Sequence, residues 1–198
     1  MPFGSNGGTR YQQVYSAAEF PDELSINGVR FFHHSFFGFP GTLAKGVLTF
    51  EFSVTSQPVD GLDTANLDNN VTGVVLGTGT LVLGGGDGHD VIVGVTPFSY
   101  DPAMGNLLMD ISYPRGLSRG PGFPAPFEAY NGEDGSSAGG ILSRAYNSGG
   151  EGFAGWGLKT EFLLGTTPLF FPMVEVFVDA GNLTLVGQRP HRTRRPAT

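Results

Sequence analysis

Two stretches of this sequence gather oxygen-bearing side chains closely enough to do chemistry. The first is Asp60-Gly-Leu-Asp-Thr-Ala-Asn-Leu-Asp-Asn-Asn70, which carries Asp60, Asp63, Asp68, Asn69 and Asn70 within eleven residues. Hard cations such as calcium take six to eight oxygens from carboxylates, amides and carbonyls on a flexible loop, and this loop offers several. The competing reading is that Asp and Asn here build Asx turns, accepting hydrogen bonds from the backbone a few residues on. The second stretch, Gly85-Gly-Asp-Gly-His-Asp-Val-Ile-Val93, fits the calcium-binding nonapeptide G-G-x-G-x-D-x-U-x, with Asp87 and Asp90 as its acids. Calcium in that architecture sits between stacked repeats, whereas this chain has one copy. A Gly/Asp hairpin turn entering a strand at Val91 is the better expectation.

Other candidates are weaker. Glu128, Glu133 and Asp134, with Glu151 beyond them, lie in or near a long Gly-rich connection. Paired carboxylates hydrolyse glycosides when held about 5 to 9 Å apart, but acids in such a loop more often serve solvation. His33-His34 is the only adjacent histidine pair, and neighbours on a strand point to opposite faces, which predicts one packed and one exposed ring. No Ser-His-Asp signature, phosphate loop or dinucleotide fingerprint occurs. With no cysteine, thiolate chemistry, disulfides and Cys-ligated zinc are excluded.

Aromatic residues in or near predicted loops form a third group: Phe36, Phe37, Phe39, Phe123, Phe127 and Tyr130. Flat rings on a β-domain surface stack on sugars or bury against another subunit. Phenylalanine favours the core or subunit reading, because sugar platforms more often use Trp and Tyr.

The elements that position these groups are strands. The chain has 198 residues, 32 Gly, 14 Pro and 17 Phe, with only 15% charged residues, a composition suited to a tightly turned β-protein. Its net charge is −7, but Arg189, Arg192, Arg194 and Arg195 crowd the last ten residues. The body before them is therefore strongly acidic, which disfavours nucleic acid and favours cations. The basic end has too little apolar content to fold, giving an expected domain over 1–187 and a solvated tail over 188–198. The first residues lack the basic and apolar regions of a signal peptide, and no apolar run is long enough for a membrane-spanning helix.

Gly46–Thr55 alternates cleanly, with Leu48, Phe50, Phe52 and Val54 on one face. Further strands are expected over Tyr11–Tyr15, Leu24–Phe32 with a bulge at Gly28, Val71–Leu83 as a strand pair or one bent strand, Asp90–Thr96, Ile141–Tyr146, Phe153–Leu164, Met173–Val178 and Leu183–Gly187. Asp101-Pro102 and Gly105-Asn106 are turn formers. The row Leu107, Met109, Ile111, Tyr113 that follows predicts a strand with one buried face, opposite Leu108, Asp110 and Ser112. The expected class is all-β, an antiparallel jelly-roll-like β-sandwich of about nine or ten strands.

Six segments carry a family resemblance: Arg10–Tyr15 (RYQQVY), Gly46–Ser53 (GVLTFEFS), Val59–Asn70, Pro97–Pro102 (PFSYDP), Gly105–Asp110 (GNLLMD) and Ser143–Tyr146 (SRAY). Over about residues 3–165 the chain resembles the extracellular domain of bacterial proteins that carry a PEP-CTERM sorting tail. The resemblance implies an exported β-domain, secreted or at the cell surface, often beside exopolysaccharide systems. The expected function is a structural or adhesive matrix protein that self-associates as a homo-oligomer. The alternatives are a calcium-stabilised module that binds extracellular polysaccharide, and a carboxylate-dependent glycoside hydrolase.

Overall fold

The computed structural model describes Phe3 and residues 10–35, 38–113, 117–118, 122–130, 141–146, 151–165, 176–179 and 182–185, with backbone alone at 151–154, 176–179 and 182–185. Its contacts group Met1–Gly165 into one compact unit and Thr166–Thr198 into a second. The first unit contains β1 (Arg10–Tyr15), β2 (Leu24–Phe31), β3 (Lys45–Thr55), β4 (Val75–Gly84), β5 (Val91–Tyr100), β6 (Asn106–Ser112), β7 (Ala129–Tyr130), β8 (Leu142–Tyr146), β9 (Glu151–Ala154), β10 (Gly157–Leu158) and β11 (Thr160–Leu164). The second holds the hairpin of β12 (Val176–Asp179) and β13 (Asn182–Leu185), which turns where the Asp179–Asn182 sequence predicts. No helix among the described residues is long and apolar enough to cross a membrane.

Nine strands form one antiparallel sheet in the order β11-β2-β5-β4-β3-β6-β1-β8-β9. Strands β9 and β11 stand at opposite ends of that order, yet only Gly155–Lys159 separates them in sequence. Eight inter-strand gaps would make a flat sheet roughly 38 Å wide, whereas so short a link reaches about 20 Å. The sheet must therefore curl until its ends approach. The contacts agree: the Tyr15 hydroxyl on β1 donates to Thr160 Oγ1 on β11 at 2.7 Å, and the Tyr15 and Phe162 rings meet at 5.0 Å. Strands β4 and β5 share a single registered pair, Gly79 with Val95.

The core lies inside this curl. The predicted inward row of β3 (Leu48, Phe50, Phe52, Val54) is buried, and it meets β2 and β5 through Phe31–Phe50 and Phe52–Phe98 ring contacts at 6.1 and 5.4 Å. Strand β2 carries the expected irregularity near Gly28, where its register with β5 shifts between Ile26 and Gly28. Gln13 is wholly buried inside the core, where its side-chain amide acts as a strand partner. It accepts from Leu158 N at 2.8 Å and donates to Leu158 O at 3.0 Å, tying the crossing segment to β1.

Two expectations are corrected. The segment Phe153–Leu164 is three short strands, because Gly155 adopts φ +69°, a left-handed turn that ends β9 and redirects the chain. Strand β6 has two buried faces instead of one: Leu108 and Asp110 are as hidden as Leu107, Met109 and Ile111. What covers that second face is the Asp/Asn-rich loop.

Candidate functional site

That loop, between β3 and β4, lies over the outer face of β1, β6 and β8. Val59, Leu67 and Asn70 go under, meeting a layer that contains Val14, Leu108 and Ala145. A polar network holds the cover in place. Asp110 receives Arg10 Nε at 2.9 Å and Gln12 Nε2 at 2.7 Å; Gln12 Nε2 also donates to Leu67 O at 3.0 Å, and its Oε1 accepts from Asn70 Nδ2 at 2.8 Å. The Ser143 hydroxyl donates to the Val59 carbonyl, and Thr55 Oγ1 donates to Asn70 O at 2.7 Å. The hydrogen bond that Arg10 donates to Asp110 is the main cause of a raised Arg10 pKa.

The proposed cation ligands of the loop are engaged with protein. Asp63 caps the backbone amides of Ala65 and Asn66 at 2.9 and 2.8 Å and accepts from Asn69 Nδ2 at 2.7 Å. These bonds, the one from Asn66 foremost, lower the Asp63 pKa. Asp68 pairs with Arg10, and Asp60 is exposed. This is the Asx-turn geometry the loop chemistry also allows.

Asp87 and Asp90 belong to a different place. The GGDGHD sequence makes the β4–β5 turn, with Gly85 and Gly86 at φ +78° and +92°, and it is stitched to the preceding loop by Leu43 N to Gly86 O at 2.8 Å. Asp90 accepts from Arg30 NH2 at 2.6 Å and from His33 N at 2.8 Å, and the Arg30 bond is the main cause of its lowered pKa. Asp87 is bridged to Thr42. The two acidic stretches do not converge. Among the described residues, no group of three or more His, Asp or Glu side chains is arranged to hold a metal ion.

The histidine pair divides as expected: His33 is half-buried, its Nε2 donating to Pro40 O at 2.7 Å, and His34 is exposed. The aromatic group splits three ways. Phe39 and Phe123 are exposed at 73% and 62%. Phe127 is a core residue instead of a surface ring, packed on Phe3 at 4.9 Å and on His33, because its segment bridges back to His33. Tyr130 lines a cleft. Phe36, Phe37, Glu133, Asp134 and the 188–198 tail lie outside the described residues, as does the side chain of Glu151.

The cleft of about 350 Å³ is the constellation that sequence reading missed. Its walls are Tyr15, Phe20, Phe32, Tyr130, Leu142 and Phe162, with Ile141 also lining it. Glu19, Lys159 and Thr160 add polar groups. Phe20 meets Phe162 edge-on at 5.5 Å, fixing the apolar surface. Lys159 Nζ lies 3.4 Å from Glu128 Oε2 and 5.5 Å from the Tyr130 ring centre, so the ammonium is held beside an aromatic wall. Glu19 ends a single-turn 3-10 helix that Ser16 caps, and it makes no ion pair among the described residues. Burial raises the Tyr15 phenol pKa well above its usual value, so that phenol stays neutral as a donor. Of its walls only Tyr130 is among the sequence candidates, since the others come from distant segments and read as strand or turn residues. Comparison with family models, with curated proteins and with solved structures returns no match.

Proposed function

We propose that this chain is a non-catalytic adhesive or structural domain of the exported bacterial type, a jelly-roll-like sandwich of the PEP-CTERM class. On this reading its cleft takes one saccharide unit of an extracellular polysaccharide. The observation that supports it is the cleft itself: aromatic walls for the C–H faces of a sugar ring, with a carboxylate, an ammonium and a hydroxyl among the lining groups. Its volume sits at the small end of the range of small-molecule sites. Among the lining groups Glu19 is the one carboxylate, and Glu128 beyond them is tied to Lys159, an arrangement suited to hydrogen bonding to sugar hydroxyls.

The test is retention on a panel of immobilised polysaccharides, followed by titration of the oligosaccharide that binds. Tyr130→Ala and Glu19→Gln are each expected to weaken binding about fivefold to tenfold, the loss of one stacking wall or one charge-assisted hydrogen bond. Retention by none of the polysaccharides, or equal affinity in both variants, would overturn the reading.

Calcium at the loop is not part of this reading, because Asp63 and Asp68 already have partners and leave Asp60 alone to join loop carbonyls. Since those partners hold the loop closed, EDTA-stripped protein is expected to keep its melting temperature when calcium is added. A rise of several degrees would instead establish calcium as a ligand of the folded state.

A further inference from the structure

The outer face of β3 and β4 has no cover among the described residues. Facing outward on β3 are Lys45, Val47, Thr49 and Glu51; opposite them on β4 stand Gly84, Val82, Thr80 and Thr78 in register. Val47 and Val82 form a directly paired apolar row, 42% and 72% exposed, and Ile92 on β5 adds a further exposed aliphatic side chain at 59%. The next row is Thr49 with Thr80, whose methyl groups keep the surface apolar. On these strands the outward charges are Lys45 and Glu51 alone, and neither forms an ion pair among the described residues. Asp110, which is registered with Glu51, is already neutralised by Arg10.

We infer that this face is a self-complementary interface that takes a second copy of the same chain. Lys45 and Glu51 are equidistant from Leu48 along one strand. A two-fold axis lying between two stacked sheets, and crossing the strands at the level of Leu48, lays each β3 antiparallel over its partner. That operation brings Lys45 of each copy over Glu51 of the other, giving two identical ion pairs roughly 20 Å apart at a strand rise of about 3.3 Å. Between them the Val47–Val82 row of each copy falls on the Thr49–Thr80 row of the other. Sheets stack about 10 Å apart, a gap that a lysine and a glutamate reaching toward each other close. For a chain of net charge −7, this is a face on which two copies meet without like charges opposed.

The experiment uses the full chain and measures mass by sedimentation at about 100 μM protein in low salt. Wild type is expected at twice the 20.9 kDa chain mass. Lys45→Glu leaves two acids on the face and Glu51→Lys leaves two bases, so each variant alone is expected to be monomeric. An equimolar mixture of the two is expected to form heterodimers, and the double variant, with the charges exchanged, to dimerise again. Circular dichroism and thermal melts check that both surface variants remain folded. A monomeric wild type, single variants that dimerise as wild type does, or a mixture that stays monomeric each overturns the interface. The cleft uses none of these residues, so saccharide retention is expected to be unchanged in both variants.

Discussion

Replacing Asp110 with alanine is expected to cost about 3 kcal/mol of folding free energy, the lower end of what breaking a buried ion pair removes. The carboxylate is 6% exposed and accepts from Arg10 Nε, Arg10 NH2 and the wholly buried Gln12 amide. Its removal leaves a guanidinium and an amide donor under the loop with the acceptor between them gone. The Arg10 side chain keeps 25% of its surface in water and keeps its pair with Asp68, which together relieve part of the penalty and set the estimate at the low end. With a urea dependence of about 2 kcal/mol per molar, the unfolding midpoint moves down by roughly 1.5 M. The double variant Arg10→Met/Asp110→Leu is expected to recover most of that loss, because two apolar side chains leave no charge stranded. Equal midpoints for wild type and the alanine variant would show that the cover does not depend on this layer.

The second large effect is expected at Gly79. A Cβ added there would lie 2.6 Å from the Gly94 carbonyl oxygen and 2.8 Å from Val95 Cγ1. The first of these is backbone and cannot rotate away. Gly79 and Val95 are also the single registered pair between β4 and β5, so the strain falls where the two groups of strands are joined. Gly79→Ala is expected to destabilise by about 2 to 3 kcal/mol, the range for overpacking a closed site. Amide hydrogen exchange is expected to rise on both flanking strands as that junction opens. Gly94→Ala is the control one strand away: a Cβ there meets nothing within 4 Å, and its effect is expected within about 0.5 kcal/mol.

What the sequence shows of this fold is what depends on neighbours along the chain. The β3 row from Leu48 to Val54 reads directly, because alternation with one buried face is local information. The Gly/Asp turn at residues 85–90 reads equally well, since glycine φ preferences act residue by residue. Strand β6 defeats the same logic. Its second face is hidden by a loop that arrives from between β3 and β4, and Asp110 alternates with Leu107 and Met109 like any solvent-facing acid. Phe127 fails for a related reason: its segment looks like loop, and only the bridge to His33 carries it inward. The cleft was illegible because Tyr15, Phe20, Tyr130 and Phe162 are assembled by the closing of the curl, and no spacing in the chain encodes that closure.

The place of β1 has a consequence for the timing of synthesis. Strand β1 comes early in the chain but is interior to the sheet, paired on one side with β6 and on the other with β8. Strands β3, β4 and β6 can pair as they emerge, whereas Arg10–Tyr15 must wait for Asn106–Ser112 and then for Leu142–Tyr146. At the usual 5 to 20 residues per second, the second of those partners follows by roughly 7 to 26 s. Throughout that interval the edge of Arg10–Tyr15 that pairs with Leu142–Tyr146 stays without its partner. A factor that shields nascent chains therefore has a natural substrate in the Arg10–Tyr15 strand.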